Sequence, residues 1–172
     1  MKEFGGPAIV LDRSDINTDE IIPAKYLTEN SKVALKPYIL EDLKLTGFDP
    51  NGESLNSARA IITRKNFGCG SSREHAVWVF EVNDINVVIG ESFARIFRQN
   101  MFNCGMLAIE LSESEIDEIL SLGEKLEVKV DLEKGKLVAQ GEREASFDFA
   151  LNSFDKELVT ADGWLSYADN KY

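Results

Sequence analysis

The residues best suited to chemistry lie together in Asn66-Phe67-Gly68-Cys69-Gly70-Ser71-Ser72-Arg73-Glu74-His75-Ala76. Two glycines let a backbone turn sharply and let a ligand come close. Ser71 and Glu74 have the spacing of a capping box, which predicts a helix from about Ser71 to Asp84 with Ser71 at its N-terminus. Unpaired N–H groups and the helix dipole favour negative charge at such an end. Arg73 adds a full positive charge and a two-pronged grip for a carboxylate. The run therefore reads as an anion seat beside a serine hydroxyl that could act as a base. It reads equally as a helix cap, worth about 1 kcal/mol and implying no chemistry.

Other chemistries fit the run poorly. A dinucleotide fingerprint needs a third glycine and a later acid in frame, and a P-loop needs Gly-Lys-Ser/Thr. No Gly-x-Ser-x-Gly elbow is present. The sole histidine, His75, follows Ser71 by four residues, but no order of Ser, Asp and His matches a hydrolase triad. His75 is read as structural, and Cys69 as a packed thiol rather than a nucleophile.

A second segment runs Asp15-Ile16-Asn17-Thr18-Asp19-Glu20-Ile21-Ile22-Pro23-Ala24-Lys25-Tyr26-Leu27-Thr28. Asp12, Asp15, Asp19 and Glu20 crowd its start. Their spacing lacks the calcium-loop pattern, so a solvated turn is the plain reading.

These segments must be held by an α/β framework. Apolar strands are expected at 8–12 and 60–63, separated by a polar, poorly periodic stretch over roughly 13–57. Three of the four prolines fall in it, and a connection of that length is usually functional or mobile. Residues 66–111 then alternate turn, helix, strand (87–90), helix (about 92–103) and strand (106–110), which predicts parallel strands with right-handed crossovers. Ser112–Glu115 opens a further helix with a capping box. Leu126–Leu132 and Lys136–Gln140 predict an antiparallel hairpin, and a last helix is expected near 155–167.

Composition narrows the classes. A chain of 172 residues suits one domain, taken as 1–172. A formal net charge of −11 repels nucleic acid and anionic membranes, and also a carboxylate substrate, so a local cation must receive any anion. Two cysteines, Cys69 and Cys104, are too few for a disulfide framework or a four-cysteine metal site. The N-terminus has no long apolar stretch after its lysine, and a cytoplasmic location is expected.

Three ordered runs resemble the aconitase superfamily: Asn-Thr-Asp-Glu-Ile-Ile-Pro-Ala at 17–24, Gly-Ser-Ser-Arg-Glu-His-Ala at 70–76 and Ser-Phe-Ala-Arg-Ile at 92–96. The short chain is similar to the free-standing small subunits of that superfamily. The resemblance implies a swivelling β/β/α three-layer domain, with a parallel central sheet plus an antiparallel hairpin. It implies a hydro-lyase active only with a large subunit that carries a [4Fe–4S] cluster, no metal or cofactor being bound by this chain. Ser71 would be the base that takes a proton from carbon, and Asp19 would join the acid side with a histidine of the large subunit. Ser72 and Arg73 would bind a substrate carboxylate. Residues after the Tyr26-Leu27 pair would sort substrates by side group, with Tyr26 and Thr28 among the substrate contacts. Thr28 stands where an arginine suits a third carboxylate, so an uncharged branch is favoured. The expected reaction is dehydration–rehydration of a branched malate, isopropylmalate first, in leucine biosynthesis. Methyl- or dimethyl-malate, homoaconitate and a non-catalytic anion-binding role stay open, as does self-association of the chain alone.

Overall fold

The structure is a computed structural model and describes residues 3–171. Its strands are β1 (Gly5–Leu11), β2 (Ala60–Thr63), β3 (Val87–Gly90), β4 (Leu107–Glu110), β5 (Leu126–Asp131), β6 (Lys136–Gln140) and β7 (Glu144–Asp148). Its helices are α1 (Thr18–Ile21), α2 (Lys32–Leu35), α3 (Glu53–Ser57), α4 (His75–Val82), α5 (Arg95–Asn103), α6 (Glu113–Leu120), α7 (Ser153–Thr160) and α8 (Trp164–Lys171). Among the described residues, no helix is long and apolar enough to cross a membrane.

The strands form one mixed sheet in the order β4-β3-β2-β1-β5-β6-β7. The first four are parallel, and each new strand joins on the same side of the last. Right-handed crossovers that all step one way put their helices on one face, and α4 and α5 do pack together. β2 and β3 are buried along their whole length and are built of Ala, Ile, Val, Thr and Gly, as expected of strands covered on both faces. β5, β6 and β7 run antiparallel, with buried and exposed residues alternating along β6. The sheet curls. The β6–β7 turn at one end reaches α6, which follows the strand at the other: Glu142 N–H donates to the Leu122 carbonyl (2.6 Å) and Arg143 Nη2 to the Ser121 carbonyl (2.9 Å). The result is the β/β/α layering that the resemblance implied.

Several expectations need correction. The hairpin is a three-stranded meander, because Glu144–Asp148 pairs with β6 although its sequence is too polar to announce a strand. The expected last helix is two, broken at Asp162 and Gly163, which both hold positive φ. The polar stretch 13–57 is not a bare loop. Leu35, Ile39, Leu40, Leu43 and Leu55 from it enter the same hydrophobic cluster as the strands. The Leu40 N–H also donates to the Ile21 carbonyl at 2.8 Å. Its helices are four or five residues long, too short for a 3.6-residue period to show in the sequence.

Candidate active site

The three runs singled out in the sequence each follow the C-terminal end of one of three adjacent parallel strands. The Asn17–Ala24 run follows β1, Gly70–Ala76 follows β2, and Ser92–Ile96 follows β3. In open parallel sheets, ligands bind beyond the carboxyl ends of the strands.

Backbone pairing continues past the strands and fixes the central run. Asp15 N–H donates to the Lys65 carbonyl, Gly68 N–H to that of Ile16 and Thr18 N–H to that of Cys69, each at 2.8 Å. On the other side Phe67 N–H donates to the Ser92 carbonyl (3.2 Å) and Ala94 N–H to that of Phe67 (3.0 Å). Asn66 and Asp15 both adopt positive φ, and the Asn66 amide donates to Asp15 Oδ1 at 2.9 Å. Residues 66–70 thus run as a short extended strip between the other two runs. A β-carbon on Gly68 would lie 2.2 Å from Phe97 Cγ, so that glycine lets the first turn of α5 close onto the strip.

This strip overturns the expected cap. The helix after it begins at His75, its N-cap is Glu74, and no side chain caps it. Gly68 and Gly70 hold positive φ and the backbone is drawn out beside Asn17 and Thr18. The helix therefore has its N-cap three residues later than the Ser71–Glu74 spacing suggested, at Glu74. Ser71 is exposed and free of the capping role that competed with chemistry. The capping box belongs instead to Asn17 and Glu20. Glu20 N–H donates to Asn17 Oδ1 (2.9 Å) and Asn17 N–H to Glu20 Oε1 (3.1 Å), fixing the start of α1. Asp19 leaves that turn toward solvent, its side chain 62% exposed.

A cavity of about 120 Å³ opens where the runs meet. Thr18, Gly70, Ser71, Ser72, Arg73 and Arg95 are among its lining residues. The Arg73 guanidinium, whose side chain is 15% exposed, is hydrogen-bonded through Nη1 to Asp19 Oδ1. Ser71, Ser72, Arg73 and Asp19 are therefore brought together as expected. Tyr26 and Thr28 do not line this cavity. Tyr26 stacks on Tyr38 with centroids 4.0 Å apart. Partial burial and a hydrogen bond to the Glu41 carboxylate push its phenol up to about 12. Thr28 is exposed, and the next residue is tied down by a contact between His75 Nε2 and the Glu29 carbonyl (3.1 Å). His75 also packs against Trp78. Burial and the Asp15 carboxylate push the Cys69 thiol up, keeping it protonated and a poor nucleophile. Sequence reasoning passed over Thr18 and Arg95. The available signals were a threonine between a cap and two acids, and a helix opening on Arg95 and Arg98 with no cap before it.

A larger open hollow of about 590 Å³ adjoins through Arg95, between α5 and α7. Arg95, Arg98 and Ser153 line it together with Glu110 and Asp155, and Arg98 is already paired with both carboxylates (3.4 and 3.8 Å), so the chemistry centres on the smaller cavity.

Comparison with known proteins shows the family. The aconitase C-terminal domain family matches residues 51–114. The 3-isopropylmalate dehydratase small subunit of Aromatoleum aromaticum is 34% identical over 94% of this chain and 84% of its own. That of Koribacter versatilis is 36% identical over 85% of this chain and 79% of its own. The chain belongs to the 3-isopropylmalate dehydratase small-subunit family. A crystal structure of 3-isopropylmalate dehydratase (leuD) from Methanocaldococcus jannaschii has the same fold, with a TM-score of 0.81 at 27% identity. It covers 99% of this chain and 95% of that one. Members of this small-subunit family are parts of a hydro-lyase, which suits an exposed serine beside a largely covered arginine at an open cavity.

The donors at the cavity are hydroxyls and guanidinium groups, which bind carboxylates rather than iron. Among the described residues, no three His, Cys, Asp or Glu side chains converge on a metal position. Such donors suit the carboxylate of a ligand.

Proposed function

We propose that this chain is the small subunit of 3-isopropylmalate dehydratase, working in the cytoplasm with a large subunit that carries the [4Fe–4S] cluster. The observation that carries the reading is the meeting of three motif runs at neighbouring strand ends, around an exposed Ser71 beside Arg73.

In this reading Ser71 Oγ, as the alkoxide, takes the proton from the substrate carbon as the neighbouring C–O bond breaks, and the hydroxyl departs as water with a proton delivered from the acid side, where Asp19 stands. Returning water to the other carbon gives the isomer. Bound in the partner, the cluster supplies a Lewis acid for the departing hydroxyl. Arg73 and the Ser72 hydroxyl hold a substrate carboxylate. A guanidinium has five N–H donors, so Arg73 can keep Asp19 and still receive the substrate. Asp19, exposed at the cavity edge, is the group available to a partner histidine on the acid side. With uncharged Thr28 after Tyr26-Leu27, the sorting position lacks a cation. Thr28 is exposed and outside the cavity in this chain, so it would meet the substrate's branch only where the large subunit covers it; a carboxylate there would find no cation from this segment, which favours an isopropyl branch.

The test is co-expression with the large subunit and anaerobic assay on a panel of branched malates. Isopropylmalate should turn over best and the small subunit alone should be inactive. Ser71→Ala should cut turnover at least ~100-fold, the scale of general-base removal. Turnover equal to the parent's in that variant would refute the reading.

A further inference from the structure

The first turn of α5 is oddly charged for its position. Arg95 and Arg98 stand there, with no acid. Cations at a helix N-terminus oppose the dipole. Ala94, the N-cap, offers no side-chain hydrogen bond, so the N–H groups of Arg95, Ile96 and Phe97 have no side-chain cap. By contrast α1, α6 and α7 all begin with a capping side chain and an acid. Arg98 is met by Glu110 (3.4 Å) and Asp155 (3.8 Å), but among the described residues no carboxylate pairs with Arg95, an unusual position for a cation in a chain of net charge −11.

An independent observation points to a ligand there. Thr18 is 2% exposed, and its Oγ1 is buried without a hydrogen-bond partner. A buried hydroxyl left unpaired costs about 1–3 kcal/mol. Thr18 lines the same cavity as Arg95, Ile96 and Phe97, and a β-carbon on Gly70 would stand 3.4 Å from its Oγ1. The cavity's 120 Å³ is about four waters by volume, enough for a carboxylate and its methylene.

We propose that the Thr18 hydroxyl, the uncapped first turn of α5 and Arg95 form a carboxylate subsite that positions the substrate against Ser71. Every polar group in it donates, so it selects an anion, and it relieves both the unpaired hydroxyl and the repulsion within the helix end. The inference rests on the dehydratase reading and adds Thr18 and Arg95 to the groups that hold substrate.

The test uses the two-subunit enzyme and 2-isopropylsuccinate, the substrate skeleton without its hydroxyl, as a competitive inhibitor. Thr18→Val keeps the branched shape and removes only the hydroxyl. It should raise both KM and the inhibitor's Ki about tenfold or more, the scale of one lost hydrogen bond to a charge. Thr18→Ser should restore both. Arg95 is exposed, so Arg95→Gln should fold normally and move Ki the same way even if Thr18→Val folds poorly. Ser71→Ala should lose turnover while keeping the inhibitor's Ki. Failure of the reaction assignment would therefore show in Ser71→Ala, and failure of the subsite in Ki. Unchanged Ki in both Thr18→Val and Arg95→Gln would overturn the subsite. A Thr18→Ser as weak as Thr18→Val would overturn the hydroxyl's part in it.

Discussion

Arg73 is held through Nη1 by Asp19 and lies mostly covered, so its planar fork is set in place before any substrate arrives. A preformed fork loses little conformational entropy on binding, whereas a lysine at the same place would offer a mobile point charge. Arg73→Lys should therefore lower kcat/KM about ten- to hundredfold, mainly through KM, with thermal stability little changed. Steady-state kinetics beside a melting curve check both halves. The Ser71 side chain caps no helix, so the loss of turnover expected of Ser71→Ala should come with an unchanged melting temperature. A drop of several degrees would restore the capping role that the structure removes.

At the scale of elements, the site depends on how closely α5 lies against the strip 66–70. Gly68 sets that distance, with φ of +82° and no β-carbon to meet Phe97. Gly68→Ala would impose a left-handed penalty of about 1–2 kcal/mol and overpack Phe97 by about 1–3 kcal/mol. The melting temperature should fall by roughly 5–15 °C on the scale usual for a chain of this size. Activity in the two-subunit enzyme should fall further than stability explains, because the first turn of α5 would be pushed from Ser71. Phe97→Leu on that background should recover part of the melting temperature. The strip's own bonds to Ile16, Thr18 and Ser92 keep it in register, so the change should stay local.

Across the whole molecule, pH acts on the internal packing of the 13–57 stretch. Tyr26 stacks on Tyr38 and its phenol meets the Glu41 carboxylate, all within that stretch. Its folded pKa, about 12, is raised above the usual value of 10.0. A proton held more tightly when folded stabilises the folded state below about pH 10, and that contribution is lost as pH rises through about 12. Alkaline melting curves should show Tyr26→Phe losing less stability than the parent over that window. Ultraviolet titration should show one tyrosine ionising late. Equal alkaline sensitivity in both proteins would remove Tyr26 from the cause.

Most strand positions, the parallel direction of the strands that alternate with helices, and the three runs were legible in the sequence because each is a local signal. Apolar strands of four or five residues, Ser112 with Glu115, and Lys134-Gly135 all act over neighbouring residues. β7 escaped because its pairing with β6 supplies what its polar sequence does not. The short helices of 13–57 escaped because burial of Leu35, Leu40 and Leu43 holds segments too brief for periodicity. The Ser71–Glu74 spacing misled, since long-range backbone bonds to Ile16 and Thr18 hold the strip extended against its local helix signal. The sequence by itself determined which residue types are available to receive a carboxylate. Tertiary structure alone decided that Thr18 and the start of α5 face them, because β1, β2 and β3 lie side by side only once the chain has crossed over twice.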